Sequence, residues 1–272
     1  MHALDIVSAA DGTWSLRPLG AELDDDRYTE VLSLDTATGR TAVGIVGLLD
    51  AVRPGGAGHA ATFGRSFTDL VDADPALSRS RLHSELAEWT ATPLAASALL
   101  RDVTDIRVAG PGSGDIARAV RAHHPEARVR LLVPPSQARA AADLAAGDTG
   151  AGAGAGEIVV ETGGLLDRRP ELAEAYLLVG ALAEFGDDDA AHVLAEAAAS
   201  TRGGGVLVLE DPHTDETDDE HELEHDLELL AVHGGALRTE SRLDALAEAA
   251  GLRPGGREIV GWGWALRRCE RV

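Results

Sequence analysis

Val108-Ala109-Gly110-Pro111-Gly112-Ser113-Gly114 decides the fold. Ile106 to Ala109 is a short apolar strand, and Ile116 to Arg121 begins a helix just past the glycines. In such a turn glycine lets the backbone approach a ligand, and the helix N-terminus favours polar or anionic groups. A lone Gly-x-Gly-x-Gly also occurs in turns that bind nothing, so its surroundings must carry the argument. Downstream, apolar strands at Val129 to Val133, Ile158 to Val160, Tyr176 to Val179 and Val206 to Leu209 alternate with helical patterns. The helices cover Ser136 to Ala146, Asp187 to Ser200, an acidic run from 215 to 232, and Arg238 to Ala250. Gly147 to Gly156 is a low-complexity Gly/Ala loop, and Gly263 to Arg267 ends the chain with strand character. This alternation predicts an α/β fold, a mostly parallel, doubly wound sheet.

The segments upstream are of another kind. Thr13 to Leu16 is a short strand stopped by Pro18 and Gly20. Residues 28 to 52 read as helical, with Val31, Leu32, Leu34, Val43, Ile45, Val46, Leu48 and Leu49 as apolar positions. Arg53 to Gly58 is a break. Phe67 to Asp72 starts a helix that Asp74-Pro75 interrupts, and a second runs through Leu82, Leu86 and Trp89 to about Leu100. The expected division is 1–22, 23–100 as a helical linker and substrate-side region, and 101–272 as the Rossmann-like domain.

Composition excludes several functions. The net charge of −22 repels phosphate backbones and anionic headgroups, so neither nucleic acid nor membrane is an expected partner. The single Cys269 rules out an internal disulfide and a multi-cysteine metal site. The sequence contains no lysine, and aromatics are 3%, so Ala, Val and Leu must build the core. No apolar run approaches a membrane span and no signal peptide is visible, which makes the cytoplasm the expected location.

Further short motifs surround the glycine turn. They are Leu16-Arg17-Pro18-Leu19-Gly20, Ala73-Asp74-Pro75-Ala76-Leu77, His124-Pro125, and Leu182-Ala183-Glu184-Phe185-Gly186-Asp187-Asp188. Gly203 to Glu210, Gly234-Gly235-Ala236-Leu237-Arg238-Thr239-Glu240 and Ala249 to Leu252 complete the set. In this order and spacing the chain resembles the small-molecule O-methyltransferases that depend on S-adenosylmethionine (SAM), such as acetylserotonin and polyketide O-methyltransferases. The resemblance implies a class I methyltransferase fold with a short helical N-terminal extension, residues 1–22 being the remnant of a winged helix. It also implies a SAM site at Gly110, Gly112 and Gly114.

The departures from the family pattern fall at its functional positions. The acid two residues before the first glycine is Val108 here, the ribose-binding acid ending the second strand is Val133, and the adenine-contacting acid aligns with Gly164. The family's general base, a histidine, is Ala183, and the glutamate that steadies it falls at Leu237. A hydrogen bond to a charged group contributes ~1.5–3 kcal/mol, and a general base ~10²–10⁴ in rate. The resemblance therefore implies a degenerate methyltransferase-like protein of natural-product biosynthesis, with no resident cofactor unless the family SAM site survives. It would act as an auxiliary subunit beside an active methyltransferase, or as a homo-oligomer. Two alternatives stay open: a non-methylating enzyme using the old pocket on a small molecule, and an active O-methyltransferase with unusual cofactor contacts. Glu210, Glu184 and His83 are the polar candidates for catalysis.

Other constellations have plainer readings. His221-Glu222-Leu223-Glu224-His225 is a literal H-E-x-x-H, but it lies in an acidic segment where such a match arises by chance. No metal is expected, and Leu223, Leu227 and Leu230 read as core. His123-His124 suits a helix C-terminus, Asp187-Asp188-Asp189 a helix N-terminus. Trp89 has both a pocket and a core reading, and Gly261 to Trp264 packs the last strand.

Overall fold

The computed structural model describes residues 6–23, 28, 32–53, 57–147, 157–203, 205–213, 220–261 and 263–272. The Gly/Ala loop at 148–156, the start of the acidic run at 214–219 and Trp262 lie outside the described residues. Near the N-terminus β1 (Val7–Ala10) and β2 (Thr13–Leu16) form an antiparallel hairpin, followed by a helix at Pro18–Glu22. The sequence pattern had indicated only the second of these strands.

The main sheet holds β3 (Asp105–Ala109), β4 (Arg128–Val133), β5 (Ile158–Thr162), β6 (Ala175–Val179), β7 (Val206–Glu210), β10 (Leu252–Ile259) and β11 (Ala265–Arg271). A small parallel pair, β8 (Pro212–His213) and β9 (Arg238–Thr239), stands apart. The order in the main sheet is β10-β11-β7-β6-β3-β4-β5, and β11 alone runs antiparallel to its neighbours. This is the Rossmann-like methyltransferase arrangement that the sequence predicts.

Strand residues alternate between two apolar layers. Ile106, Val108, Leu177, Val179, Leu207 and Leu209 face a core shared with Leu82, Leu94, Ile116 and Val120. Tyr176, Leu178, Val206 and Val208 face the opposite layer, with Val193, Leu194 and Leu246. Both faces of the parallel strands are thus covered, which is why each reads as an unbroken apolar run. Strand β10 was not foreseen because Pro254-Gly255-Gly256 interrupts it. It is the edge strand, its register slips between Pro254 and Arg257, and an edge tolerates a residue without a donor.

The N-terminal helices differ from expectation. Residues 24–27 and 29–31 lie outside the described residues, and the regular helix covers only Ala37–Gly44, a 3₁₀ turn and Leu48–Ala51. Thr36 sets its start, its side chain accepting from Gly39 N–H. The long helix expected to reach Leu100 is instead Pro75–Ser80, a turn, Glu85–Ala95 and a 3₁₀ turn at Ala98–Leu100. Ser84 caps the middle piece by accepting from Ala87 N–H. The acidic segment forms a helix at Glu220–His233, but Leu223 and Leu227 are exposed. Leu229, Ala231 and Val232 are buried instead, because the helix rests on the helices between residues 37 and 63.

Two arginines stand side by side inside the sheet, Arg107 on β3 opposite Arg130 on β4. Arg107 donates to Glu161 (2.7 Å) and to the Glu171 carbonyl (2.7 Å). Arg130 grips Asp105 with two bonds (2.7 and 3.0 Å) and reaches Glu161 (3.0 Å) and Glu171 (2.9 Å). Each buried charge has a partner, the condition under which burial is tolerable. Arg130→Met should cost about 1–3 kcal/mol, measured by urea unfolding at neutral pH, because Asp105 loses its two-bond partner and keeps Arg202 (2.7 Å). A loss below 1 kcal/mol would show that the network does not hold the strands.

Candidate functional site

The glycine turn is built for packing. Gly110 has φ +115°, and a Cβ there would lie 2.2 Å from the Val179 carbonyl oxygen. Gly112 has φ +70°, and its Cβ would strike Ser84 Oγ at 2.2 Å. At Gly114 a Cβ would come within 2.8 Å of the Leu82 carbonyl oxygen. The turn's amides are already engaged: Gly112 N–H donates to Arg81 O (2.9 Å), Gly114 N–H to Leu82 O (3.1 Å). The 81–84 segment is thereby pinned over the carboxyl end of β3. Of the three expected cofactor glycines, only Gly110 lines a cavity.

Two cavities flank this segment. The first, about 540 Å³, lies at the carboxyl ends of β3, β4 and β5, where ligands of doubly wound sheets bind. Ala109, Gly110, Ser113, Leu132, Pro134, Gln137, Gly164, Leu165, Leu166 and Asp167 line it. Val108 and Val133 do not. Both are fully packed in the core, away from the cleft. Gly164 does line the cleft, its N–H donating to Asp167 Oδ2 (2.9 Å), so a carboxylate is present three residues beyond the expected place. Gln137 is 5% exposed and lines the cleft. Ser136 ties this loop to the helix at Phe67–Ala73 by donating to Asp72 (2.6 Å). The cleft carries Thr68, Asp72, Arg81, Ser113, Gln137, Asp167 and Glu184 between apolar walls, and its size and place in the fold suit a small-molecule ligand.

The second cavity, about 320 Å³, gathers all three candidates named from sequence: His83, Glu184 and Glu210. Ala183 and Leu237 line it too, the two positions at which the resemblance leads one to expect a histidine and a glutamate. Glu184 forms an ion pair with Arg81, and both side chains border both cavities. Burial alone would raise the Glu184 pKa, but the Arg81 charge holds it below the ordinary value. Glu210 is buried at the end of β7 and accepts from Leu182 N–H (2.8 Å). Burial pushes its carboxyl up to about 8 despite that bond, so it is protonated at neutral pH. His83 is half exposed, its Nδ1 2.9 Å from Asp115.

Sequence reasoning missed His233. It ends the helix at Glu220–His233, lines the second cavity, and lies 3.9 Å from Glu184. Its ring meets Phe67 edge-on at 5.1 Å, and burial pushes its pKa down to about 4, leaving a neutral imidazole. The one available signal is its place directly before Gly234-Gly235. Arg81 was also missed, since nothing local marks it. Arg238 holds the turn carrying Ala183 and Glu184, donating to Leu182 O (2.7 Å) and Asp187 (2.8 Å). Trp89 is exposed and lines neither cavity, contrary to both of its readings. The side chain of His221 lies outside the described residues. Among the described residues no cluster could hold a metal ion, and no helix is long and apolar enough to cross a membrane.

Comparison with known proteins agrees with this geometry. Residues 46–253 match the model of the O-methyltransferase domain. The chain is 34% identical over 253 residues to the 2,7-dihydroxy-5-methyl-1-naphthoate 7-O-methyltransferase of Streptomyces carzinostaticus, covering 89% of this chain and 72% of that enzyme. It is 30% identical over 233 residues to the aclacinomycin 10-hydroxylase RdmB of Streptomyces purpurascens, covering 81% of this chain and 59% of that protein. The crystal structure of the O-methyltransferase NcsB1 from neocarzinostatin biosynthesis, in complex with S-adenosyl-L-homocysteine and 1,4-dihydroxy-2-naphthoic acid, superposes with a TM-score of 0.84. That match has 25% identity and covers 100% of this chain and 82% of that one. With the sheet order, the paired cavities and a family match over most of its length in agreement, this chain belongs to the O-methyltransferase domain family.

Proposed function

We propose that this protein serves small-molecule, natural-product biosynthesis as a methyltransferase-fold subunit whose own transfer to a hydroxyl is impaired. The observation that carries the proposal is Ala183, a methyl group in the cavity where the family places its base. When bound, SAM supplies an electrophilic methyl group. The first cleft would hold it with Gln137, Asp167 and Ser113, and the second cavity would take the acceptor. In that second cavity Arg81 compensates Glu184, Glu210 is a neutral acid and His233 a neutral imidazole 3.9 Å from Glu184. No group stands at position 183 to take the acceptor's proton. The protein would work beside an active methyltransferase. Exposed Leu32, Leu34, Val46, Leu49 and Val52 give the N-terminal helical region an apolar surface suited to a protein partner.

A second reading, a non-methylating enzyme, is favoured by the relative named as a hydroxylase and by the ionisable groups collected in one cavity. Glu210, protonated and buried, would then act as the acid, with Glu184 and His83 orienting the small molecule.

Ala183→His should raise methyl transfer from SAM to a dihydroxynaphthoate by about 10²–10⁴, read as methylated product by mass spectrometry. Wild-type rates already at the level of an ordinary methyltransferase would sink the impaired reading. Co-expression with a homologous methyltransferase should yield a co-purifying complex; a stable monomer in its presence would sink the auxiliary role.

Glu210 also makes a stability prediction. Its folded pKa is raised, so its stabilising contribution is complete below about pH 4.5 and fades as pH rises through 8. Glu210→Gln should remove that decline. Between pH 5 and 8.5 the wild type should lose about 2–4 kcal/mol more than the variant in urea unfolding. His233 contributes an opposite slope below pH 6.5 that is common to both proteins and cancels. Parallel pH profiles would mean that Glu210 is ionised in the fold.

A further inference from the structure

We infer that His83, held by Asp115, is a general base of the second cavity that stands apart from position 183. The inference rests on the reading of that cavity as the acceptor's place. His83 lines the cavity, and its Nδ1 lies 2.9 and 3.1 Å from the two carboxylate oxygens of Asp115. A carboxylate only accepts, so in the neutral ring the proton sits on Nδ1 and Nε2 carries the lone pair. An imidazole oriented by a carboxylate in this way is the arrangement of a catalytic base.

The fold creates the pair from residues 32 positions apart. Gly112 N–H and Gly114 N–H donate to Arg81 O and Leu82 O, which sets the 81–84 segment on the glycine turn. Asp115 stands in the first turn of the helix Ser113–His123 that opens there. Other groups in the cavity are poor proton acceptors at neutral pH. Glu184 is held as the partner of Arg81, Glu210 is already protonated, and burial pushes His233 down to about 4. His83 is half exposed, so a proton that it takes up can leave to water. In methyl transfer the hydroxyl oxygen bonds to the methyl carbon as the carbon–sulfur bond of SAM breaks, and the hydroxyl proton passes to Nε2. This route serves a hydroxyl presented to the 81–84 segment, whereas one presented to residue 183 meets a methyl group.

Spectroscopic titration with 4-nitrophenol in the absence of SAM tests this, since its phenolate absorbs in the visible and the neutral phenol does not. At a pH about one unit below the phenol's own pKa, binding to wild type should favour the phenolate about tenfold over free solution. In His83→Gln and Asp115→Asn the ionisation of the bound phenol should lie within about twofold of free solution. The asparagine keeps the size of Asp115 but can donate to Nδ1, which moves the ring proton to Nε2. Residual methyl transfer from SAM to a dihydroxynaphthoate should fall by about 10²–10⁴ in both variants. Thermal unfolding of each variant establishes that it is folded. His225 also lines the cavity. A bound phenol that stays neutral in wild type, no binding at millimolar concentration, or a phenolate that survives in His83→Gln and is lost in His225→Gln overturns the inference and leaves the impaired reading of position 183 intact. A wild-type transfer rate at the level of an ordinary methyltransferase, unchanged in His83→Gln, overturns both.

Discussion

Two backbone hydrogen bonds, from Gly112 N–H to Arg81 O and from Gly114 N–H to Leu82 O, fix the relation of the N-terminal helices to the sheet. They require that no side chain stand between residues 81–84 and the turn. The glycines meet that requirement, since a Cβ at Gly112 would collide with Ser84 and one at Gly114 with Leu82. Because this segment is held against β3, Arg81 reaches Glu184 and the two cavities form on either side of the pair. In this protein the glycine turn acts first as a packing device, and only Gly110 faces ligand space.

Buried charge is handled in two ways. Arg107 and Arg130 are met directly by Glu161, and Arg130 also by Asp105 and Glu171, with hydrogen bonds to each. Glu210 and His233 lack such partners, and burial drives both toward their neutral forms. The second cavity therefore combines one compensated ion pair with a neutral acid and a neutral imidazole, beside His83, His225 and Glu228. That set can donate and accept hydrogen bonds, but it places no base at position 183. The first cleft sets apolar walls, Leu132, Pro134, Leu165 and Leu166, beside Ser113, Gln137 and Asp167, and shares the Arg81–Glu184 pair with the second.

The strands β3, β4, β6 and β7 were legible because each is buried on both faces, a condition that forces continuous apolar residues. Strand β10 was not legible, since the edge tolerates Pro254 and two glycines that elsewhere argue against a strand. The helix before Leu100 was overextended because periodicity registers apolar faces and does not see that Ser84 restarts the chain. Leu223 and Leu227 share the i, i+4 spacing of a core face, yet the helix docks through Leu229 and Val232. Local pattern states that a helix is amphipathic; the surface it meets selects the side.

The sequence by itself determined the order of the parallel strands β3 to β7 and the helices between them, the position of the glycine turn, and the absence of a histidine at 183 and of acids at 108 and 133. These are properties of residue identity and local periodicity. Tertiary structure alone decided which side chains share a cavity. It brought His83, Glu184, Glu210 and His233 to one space, set Arg81 between two, and placed Gln137 on the wall of the first cleft. Such meetings depend on distances across the fold between residues up to 150 positions apart, and no short-range pattern encodes them.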